Sequence, residues 1–215
     1  MSKSPKKPAA EWIPATYDLS ELRSAAAACT GCELYQHATQ VVFGEGPQDA
    51  KVVMVGEQPG DEEDHRGQPF VGPSGRLLSK AMSEAGLNRE QIYVTNAVKH
   101  FKFIERGKRR IHAKPSGIEI SACRPWLEAE LTAIEPEIVV CLGATAAKSL
   151  MGPAFRVTKE RGNFFDHRWA KRLVATVHPS AILRAPEKYE EEYRLFVHDL
   201  RLIAAKMKEL DLAGF

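Results

Sequence analysis

Short apolar runs without polar alternation are the feature that most limits how this chain can fold. The run Val52–Val55 ends at Gly56 and leads into a long segment rich in carboxylates, glycine and proline. Runs of this kind are typical of strands that helices cover on both faces, as in parallel sheets. Similar runs occur at Ile92–Thr95, Glu137–Leu142 and Arg172–Val177. The sequence therefore predicts an α/β fold, a three-layer αβα sandwich with a central four-stranded, mainly parallel sheet.

Helical patterns separate these runs. From Glu187 to Leu210, apolar residues recur at steps of three and four, which is typical of an amphipathic helix packed on a sheet. Ser116 and Glu119 have the spacing of a capping box at the start of another helix. Further helices are predicted from Asp18 to Cys29, from Ser74 to about Ala85 and from Gly143 onward.

The composition indicates one domain, which we expect to span residues 13–215. The chain has 215 residues, of which 44% are hydrophobic, enough for a sizeable core. Residues 1–12 are a predicted disordered basic tail, because Lys3, Lys6 and Lys7 occur there without the apolar stretch of a signal peptide. We expect a cytoplasmic monomer without a membrane span. The net charge of +2 does not by itself indicate nucleic-acid binding.

Residues that can bind a ligand follow each predicted strand. Glu57, Asn96, Gly143 and His178 each come just after a strand, and the carboxyl ends of parallel strands lie at one edge of a sheet. These four positions are therefore expected to form one pocket. The loop after the first strand adds Gln58, Asp61, Asp64 and Phe70.

The segment 99–114 is strongly basic. It contains seven Lys or Arg residues and one Glu, with Phe101 and Phe103 interleaved. A local charge of this size can follow a phosphate backbone, so the segment predicts contact with nucleic acid. A solvated loop, or a strand that packs both rings inward, is the alternative.

The four cysteines are not expected to form disulfides, because a reducing compartment keeps thiols free. Cys29 and Cys32 form a CxxC pair, whereas Cys123 and Cys141 are separated by many residues and do not complete a zinc ribbon. The spacing alone leaves both a shared metal site and simple burial open.

Several of these segments resemble family-4 uracil-DNA glycosylases, the iron–sulfur members of their superfamily. The sequence Gly56-Glu57-Gln58-Pro59-Gly60, followed by Pro69-Phe70-Val71-Gly72, resembles motif A of that family. Ordinary family members carry Ala where this chain has Gln58, and Gln58 resembles the UdgX branch. The segments 96–99 (Asn-Ala-Val-Lys), 108–112 (Lys-Arg-Arg-Ile-His) and 178–184 (His-Pro-Ser-Ala-Ile-Leu-Arg) resemble the uracil-reading motif, the UdgX-specific loop and the final family motif.

The resemblance implies a cofactor and a binding pocket. A [4Fe–4S] cluster would be held by Cys29, Cys32, Cys123 and Cys141, since thiolates are its usual ligands. The partner would be uracil-containing DNA, which we expect to be bound in single-stranded form. Phe70 would form the wall for the extruded base, Asn96 would read its edge, and His178 would donate a hydrogen bond to O2. The remaining expected substrate-binding residues are Gly56, Gln58, Asp61, Lys99, Arg109, Arg110, Ser180 and Arg184.

His112 is the expected nucleophile. A neutral imidazole can attack the cationic sugar carbon, and Arg109 and Arg110 are expected to disfavour its protonated form. By resemblance to the UdgX branch, the product would be a stable bond from His112 to C1′ of the abasic site. Glu57 would hold the imidazole or stabilise its charge, with Asp64 assisting.

Two other functions remain open at this stage. One is an ordinary glycosylase that releases free abasic DNA, with His112 as a bystander. The other is a non-catalytic iron–sulfur or zinc module that binds nucleic acid. A serine hydrolase is not indicated, because the chain has no Gly-x-Ser-x-Gly motif.

Overall fold

The computed structural model describes residues 8–210 and residue 212. The strands are β1 (Val52–Gly56), β2 (Ile92–Asn96), β3 (Phe103–Arg106), β4 (Arg109–His112), β5 (Ile138–Leu142), β6 (Phe164–His167) and β7 (Ala170–Thr176). The helices are α1 (Leu19–Ala26), α2 (Asp61–Arg66), α3 (Pro73–Glu84), α4 (Gly117–Ile134), α5 (Ala144–Met151), α6 (Val157–Glu160), α7 (Pro179–Leu183) and α8 (Tyr189–Glu209). Short 3-10 turns lie at Ala9–Trp12, Glu33–Gln36, Arg89–Gln91 and Pro186–Lys188.

The central sheet has five strands in the order β2-β1-β5-β7-β6. Its first four strands are parallel, as the apolar runs predict, and every residue of β1, β2 and β5 is buried. The expected count of four strands is wrong, because β6 adds an antiparallel edge strand beside β7. β6 is only partly buried and its pairing shifts register near Phe165, so it lacks the continuous apolar run that marks the other strands.

Helices cover both faces of the sheet, and each face has its own core. On one face, Leu22 of α1 and Trp126 of α4 pack with Phe43 and with buried side chains of β1 and β5. On the other face α3, α7 and α8 pack together around Leu78 and Phe196. No helix in the described part of the chain is both long and apolar enough to cross a bilayer.

Capping hydrogen bonds and a proline explain where two of the helices begin. Ser116 and Glu119 form the predicted capping box of α4, because the Ser116 hydroxyl accepts from the backbone N–H of Glu119 and Glu119 accepts from that of Ser116. Ser74, the expected cap of α3, is not its cap, which is Gly72. α3 begins at Pro73, since proline suits the first helical position, where no backbone N–H is needed.

Three segments differ from the sequence interpretation. Ala9–Trp12, assigned to a disordered tail, forms a 3-10 turn packed on α4, while residues 1–7 of that tail lie outside the described residues. The expected loop after β1 contains the helix α2. The basic segment, for which a solvated loop and an inward-packed strand were both left open, contains the antiparallel hairpin β3–β4, in which Phe103 pairs with His112.

Candidate active site

The carboxyl ends of the parallel strands meet in one cleft of about 380 Å³. Gly56 and Asn96 are register partners at the ends of β1 and β2, and His178 lies two residues beyond β7. Phe70 reaches the same cleft from the segment between α2 and α3. We refer to Gly56, Phe70, Asn96 and His178 as the strand-end pocket. The rest of the cleft is lined mainly by residues 58–63, with Pro73, Ser74, His112, Ser180 and Arg184.

Because Gly56 has no side chain, the amide of Asn96 and the ring of Phe70 can lie close together in this pocket. A Cβ at Gly56 would lie 2.3 Å from Asn96 Oδ1 and 2.7 Å from Cζ of Phe70. Real Cβ atoms do not approach other atoms so closely, so the amide of Asn96 and the ring of Phe70 both use the space that glycine leaves. Asn96 is buried at the end of β2 and lines the cleft.

Phe70 is held in a conformation that is unfavourable for its residue type. Its φ of 57° lies in the left-handed region, which typically costs about 1–3 kcal/mol for a residue other than glycine. The backbone carbonyl of Phe70 packs directly against Gly75 in α3, where no side chain would fit. This contact directs the ring toward His178, with centroids 6.2 Å apart and planes inclined by 30°.

The surroundings of His178 determine which of its nitrogens carries the proton. The backbone N–H of Ser180 donates to Nδ1 at 3.1 Å, so the proton of a neutral imidazole resides on Nε2. Burial lowers the pKa of His178 to about 4, with smaller contributions in the same direction from the nearby Arg184 and His112. Arg184 also donates to the Ser180 hydroxyl at 3.0 Å. His178 is therefore a neutral hydrogen-bond donor at physiological pH.

His112 lies at the base of the hairpin, where Gln58 fastens both strands. The Gln58 amide oxygen accepts from the backbone N–H of Lys102 at 3.2 Å, and its amide nitrogen donates to the carbonyls of Lys102 and Ala113 at 3.1 and 3.0 Å. We refer to Gln58, Lys102, His112 and Ala113 as the hairpin root. Because this network fixes the orientation of the amide, Gln58 presents its nitrogen to Nε2 of His112 at 3.0 Å. An amide nitrogen only donates, and its two protons are shared among the two carbonyls and Nε2, which suits a neutral imidazole with its lone pair on Nε2.

Glu57 faces the same imidazole nitrogen. Its Oε1 lies 3.6 Å from Nε2 of His112, and its Oε2 accepts a hydrogen bond from the hydroxyl of Thr145 at the start of α5. Burial lowers the pKa of His112, Glu57 opposes this effect, and Arg184 adds to it. The cation that disfavours protonation is therefore Arg184, whereas the sequence analysis expected Arg109 and Arg110.

His112 also lines a second hollow. This hollow has a volume of about 690 Å³ and is lined by Glu57, Ile111, Lys114 and Thr145 among others. Both hollows share Gln58, His112, His178, Ser180 and Arg184. The imidazole, with nearly half of its surface exposed, is therefore accessible at the meeting point of the two.

Arg110 fastens the hairpin to α2. Its guanidinium donates to Asp61 and to Asp64, each at 2.6 Å, and lies over the rings of Phe101 and Phe103. Asp64 is completely buried and also accepts from the backbone N–H of Thr39. Asp61, Asp64 and Arg110 thus position the hairpin, and Asp64 does not line the cleft.

The other basic residues of segment 99–114 differ in placement. Lys99 is completely buried, and its ammonium pairs with Glu130 at 2.5 Å and donates to Thr95 at 2.6 Å. Lys99 is therefore part of the core rather than of a DNA-facing surface. Arg109 is exposed on β4, and Lys114 lines the second hollow.

Two further residues of the site were not identified from the sequence. Thr145 donates a hydrogen bond to Glu57 and so orients it. The sequence signal for Thr145 is its position two residues after Gly143, the glycine that follows the third predicted strand. Glu63 accepts from the backbone N–H of Gly60 and of Gly72, which holds both ends of the segment that carries α2. Its spacing from Gly60 is that of an N-terminal helix cap.

The expected metal ligands are only partly brought together. Cys29, Cys32 and Cys123 line one small hollow next to Trp126, whereas Cys141 lies within β5 and does not line it. Burial raises the pKa of Cys123 to about 12, with Cys32 and Cys29 adding to the effect, while burial alone raises that of Cys141 to about 12. Among the described residues, no three His, Cys, Asp or Glu side chains converge on a single ion. The sulfur donor set and the buried indole N–H of Trp126, which has no partner in the described part of the chain, fit a group with several sulfur atoms.

Known proteins resemble this chain over most of its length. Residues 43–201 match the family profile described as the uracil DNA glycosylase superfamily. A type-4 uracil-DNA glycosylase of Thermotoga maritima is 37% identical over 182 residues, which cover 84% of this chain and 90% of that protein. Proteins of the same name from Archaeoglobus fulgidus and Sulfurisphaera tokodaii are 35% and 36% identical, over 77% and 78% of this chain and 85% and 77% of their own lengths. The profile match over most of the chain and these identities show that the chain belongs to the uracil DNA glycosylase superfamily.

Proposed function

We propose that this protein excises uracil from DNA and remains covalently attached to the abasic site through His112. The excision is supported by the family and by relatives named type-4 uracil-DNA glycosylases. The attachment is supported by one observation above all. His112 lines the same cleft as Phe70, Asn96 and His178, and its Nε2 lies 3.6 Å from the carboxylate of Glu57 and 3.0 Å from the amide nitrogen of Gln58.

The strand-end pocket would receive the extruded base. The ring of Phe70 offers a flat surface for stacking, and the carboxamide of Asn96 can donate to O4 of uracil and accept from its N3–H. Cytosine presents the reverse pattern, so an amide held in this orientation discriminates against it. Packing of Asn96 Oδ1 against Gly56 limits how far the amide can move.

His178 would stabilise the departing base. When the bond from C1′ to N1 breaks, its electron pair passes to uracil, and the negative charge spreads to O2. The Nε2–H of neutral His178 can donate to that oxygen, because Nδ1 is occupied by the backbone N–H of Ser180. Fixed donors aimed at developing charge are an effective means of catalysis in a buried site.

His112 would then form the new bond. The lone pair of Nε2 attacks the cationic C1′, which makes an imidazolium whose charge Glu57 stabilises. The Nδ1 proton passes to solvent and the uracil anion takes a proton from solvent, so the products are neutral uracil and an imidazole joined to C1′. Thr145 keeps the second oxygen of Glu57 in place during this step.

We also propose that the hollow lined by Cys29, Cys32 and Cys123 holds a [4Fe–4S] cluster. When bound, the cluster supplies a rigid link between the segment after α1 and helix α4, and no step of the excision passes through it. Cys29, Cys32 and Cys123 would contribute thiolates, the usual protein ligands of such a cluster. Iron and sulfide analysis of the purified protein tests this proposal, and a colourless protein that contains zinc would overturn it.

A denaturing gel tests the covalent attachment. We expect wild-type protein mixed with single-stranded DNA containing uracil to give a slowly migrating band after denaturation, in proportion to the protein added. The variant His112→Ser should lose the band and release uracil with turnover, since water can enter the vacated space. His198→Ser, on the exposed side of α8, is the matched control and should behave as wild type.

Two results would contradict the proposal. Free abasic DNA in molar excess over wild-type protein, without a slow band, would identify an ordinary glycosylase that turns over. Equal binding of DNA with and without uracil, with no release of the base, would identify a non-catalytic DNA-binding module.

A further inference from the structure

The hairpin β3–β4 has two faces of different character. Side chains alternate along a strand, and residues directly opposite each other on neighbouring strands share a face. The inner face packs against the body of the protein, where Arg110 lies over the ring of Phe103 and pairs with carboxylates of α2. The other side, which we call the outer face of the hairpin, consists of two register pairs, Ile104 with Ile111 and Arg106 with Arg109.

The isoleucine pair forms an exposed apolar surface. Ile104 has 66% of its surface exposed and Ile111 has 45%. Because the two side chains are opposite each other across the strands, they form one patch instead of two isolated groups. Single apolar side chains are common on protein surfaces, whereas adjoining ones with charged residues beside them are typical of binding surfaces. The outer face therefore has the character of a surface that a partner covers.

The arginine pair gives this surface an unbalanced positive charge. Like charges directly opposite each other destabilise a sheet, and Arg106 and Arg109 occupy opposite positions. Neither guanidinium forms an ion pair or a hydrogen bond with another residue in the described part of the chain. Two such guanidiniums suit an anionic partner, since phosphate oxygens accept hydrogen bonds from arginine in pairs. A second copy of the chain is disfavoured, because a two-fold contact between outer faces would bring four like charges together.

The outer face also adjoins the active site. Ile111 precedes His112 in β4, and both residues line the second hollow together with Lys114. A DNA strand whose sugar is bonded to Nε2 of His112 therefore has a neighbouring nucleotide beside Ile111. Aliphatic side chains pack on or between bases in protein–DNA complexes, and arginines hold the phosphates. The bases of a single strand offer their faces for such packing, whereas a duplex keeps them stacked on one another.

We propose that the outer face of the hairpin binds single-stranded DNA next to the extruded uridine. The pair Ile104 and Ile111 packs on the base of the adjoining nucleotide, and Arg106 and Arg109 bind the phosphates beyond it. This inference rests on the proposed function, because the bond from His112 to C1′ is what brings the strand to the hairpin. The hairpin then has two tasks on its two faces, holding the nucleophile and holding the neighbouring nucleotide.

Binding to modified single-stranded oligonucleotides tests the apolar contact. The oligonucleotides contain 2′-fluoroarabino-uridine, whose bond from C1′ to the base resists cleavage, so that affinity is measured without excision. Replacing the nucleotide on one particular side of the uridine by a tetrahydrofuran abasic analogue should weaken wild-type binding by about 5- to 10-fold. The same replacement on the other side should have a smaller effect.

A double-mutant cycle links this loss to the isoleucines. Ile104→Thr combined with Ile111→Thr keeps residues that favour strands and removes the apolar patch. This variant should bind the complete oligonucleotide as weakly as wild type binds the abasic one, and it should lose nothing further when the base is removed. Leu195→Ala, at an exposed apolar position on α8, is the matched control. Thermal unfolding followed by circular dichroism should be close to that of wild type, because both isoleucines are exposed.

Salt dependence tests the arginines. Arg106→Ala should reduce the slope of log affinity against log salt by about 1, as expected for one lost phosphate contact. Arg201→Ala, an exposed arginine on α8, is the control. An unchanged slope in Arg106→Ala would remove the phosphate contact from the proposal.

Two results would overturn the contact with the neighbouring base. One is equal affinity of wild-type protein for oligonucleotides with and without the bases that flank the uridine, a comparison that needs no variant. The other is unchanged DNA affinity of the double isoleucine variant together with loss of a wild-type dimer in sedimentation, which would assign the outer face to a second copy of the chain.

The denaturing gel separates this failure from failure of the proposed function. A wild-type protein that forms the slow band but is indifferent to the flanking bases keeps the attachment to DNA and loses the hairpin contact. A protein whose affinity depends on the flanking base and on the isoleucines, but which forms no slow band, does the reverse.

Discussion

The strand-end pocket and the hairpin root are adjacent, but they are built in different ways. The pocket consists of residues at the ends of β1, β2 and β7 and of Phe70, whose positions follow from sheet register and from close packing on Gly56 and Gly75. The hairpin root is fastened by polar contacts of Gln58, and Arg110 adds ion pairs to α2 farther along the hairpin. Close packing against a sheet tolerates little change in side-chain volume, whereas hydrogen bonds and ion pairs can be removed one at a time by mutation. Excision and attachment should therefore be separable by mutation.

Glu57→Gln should have the largest effect, because Glu57 follows β1 and also faces the imidazole of the hairpin root. Removing one well-placed electrostatic stabiliser typically costs about 100- to 1,000-fold in rate. We expect adduct formation to slow by about this amount, measured by quenched time courses on denaturing gels. Glu90→Gln, an exposed carboxylate at the opposite end of β2, is the control. An unchanged rate in Glu57→Gln would remove this carboxylate from the mechanism.

Gln58→Ala should affect the hairpin root alone. Without the amide, the hairpin loses its contacts with Gln58 at Lys102 and Ala113, and His112 is less well placed. Misplacement by about 1 Å can cost roughly 100-fold in rate, so adduct formation should fall by about 10- to 100-fold. Release of uracil should continue and exceed the adduct formed.

The measurement for Gln58→Ala compares free uracil with the slow band in one reaction. Gln91→Ala, at the amino end of β2, is the matched control and should keep the two products equal. A proportional loss of both products would show that the hairpin root and the strand-end pocket cannot be separated.

Acidification should distinguish the two imidazoles. His112 attacks as a neutral base, and its pKa is below the ordinary value, so adduct formation should be constant from pH 8 to about 6.5. Well below the pKa of His112 the rate should fall roughly tenfold for each pH unit. His178 has a pKa of about 4, so uracil release by His112→Ser should persist to lower pH. Adduct formation that rises on acidification would contradict a neutral nucleophile.

Arg109→Ala should have the smallest effect. Arg109 is exposed on the hairpin and lies outside the contacts that fix His112, so we expect it to meet a phosphate of the DNA. Its loss should reduce the slope of log affinity against log salt by about 1, with little change in the rate of attachment. Fluorescence anisotropy at several salt concentrations measures the slope, and Arg201→Ala on α8 is the control. An unchanged slope would exclude a phosphate contact.

The fold was predictable where one residue type dominates a segment. The apolar runs identified β1, β2, β5 and β7, because a strand covered on both faces has no place for polar side chains. The same runs placed Glu57, Asn96 and His178 at one edge. β6 was missed because an exposed edge strand needs no apolar run, and the hairpin was missed because its charged residues are typical of a loop.

The roles of the charged residues were harder to predict than their presence. Lys99 and Arg110 both contribute to the basic character of segment 99–114, yet Lys99 pairs with Glu130 in the core and Arg110 with two carboxylates of α2. Residues separated by tens of positions supply these partners, and sequence spacing carries no information about such contacts. Three of the four thiols, Cys29, Cys32 and Cys123, likewise line one hollow although they are far apart in the sequence, whereas Cys141 lies within β5.

The sequence by itself determined the parallel sheet, the edge at which its functional residues gather and the family motifs, because strand direction and local residue pattern are set by neighbouring positions. Only the tertiary structure decided that Gln58 holds the hairpin, that the Ser180 backbone sets the proton of His178, and that three of the four cysteines line one hollow. Each of these arrangements depends on atoms brought within hydrogen-bonding or ligating distance by packing, and packing is a property of the folded chain as a whole.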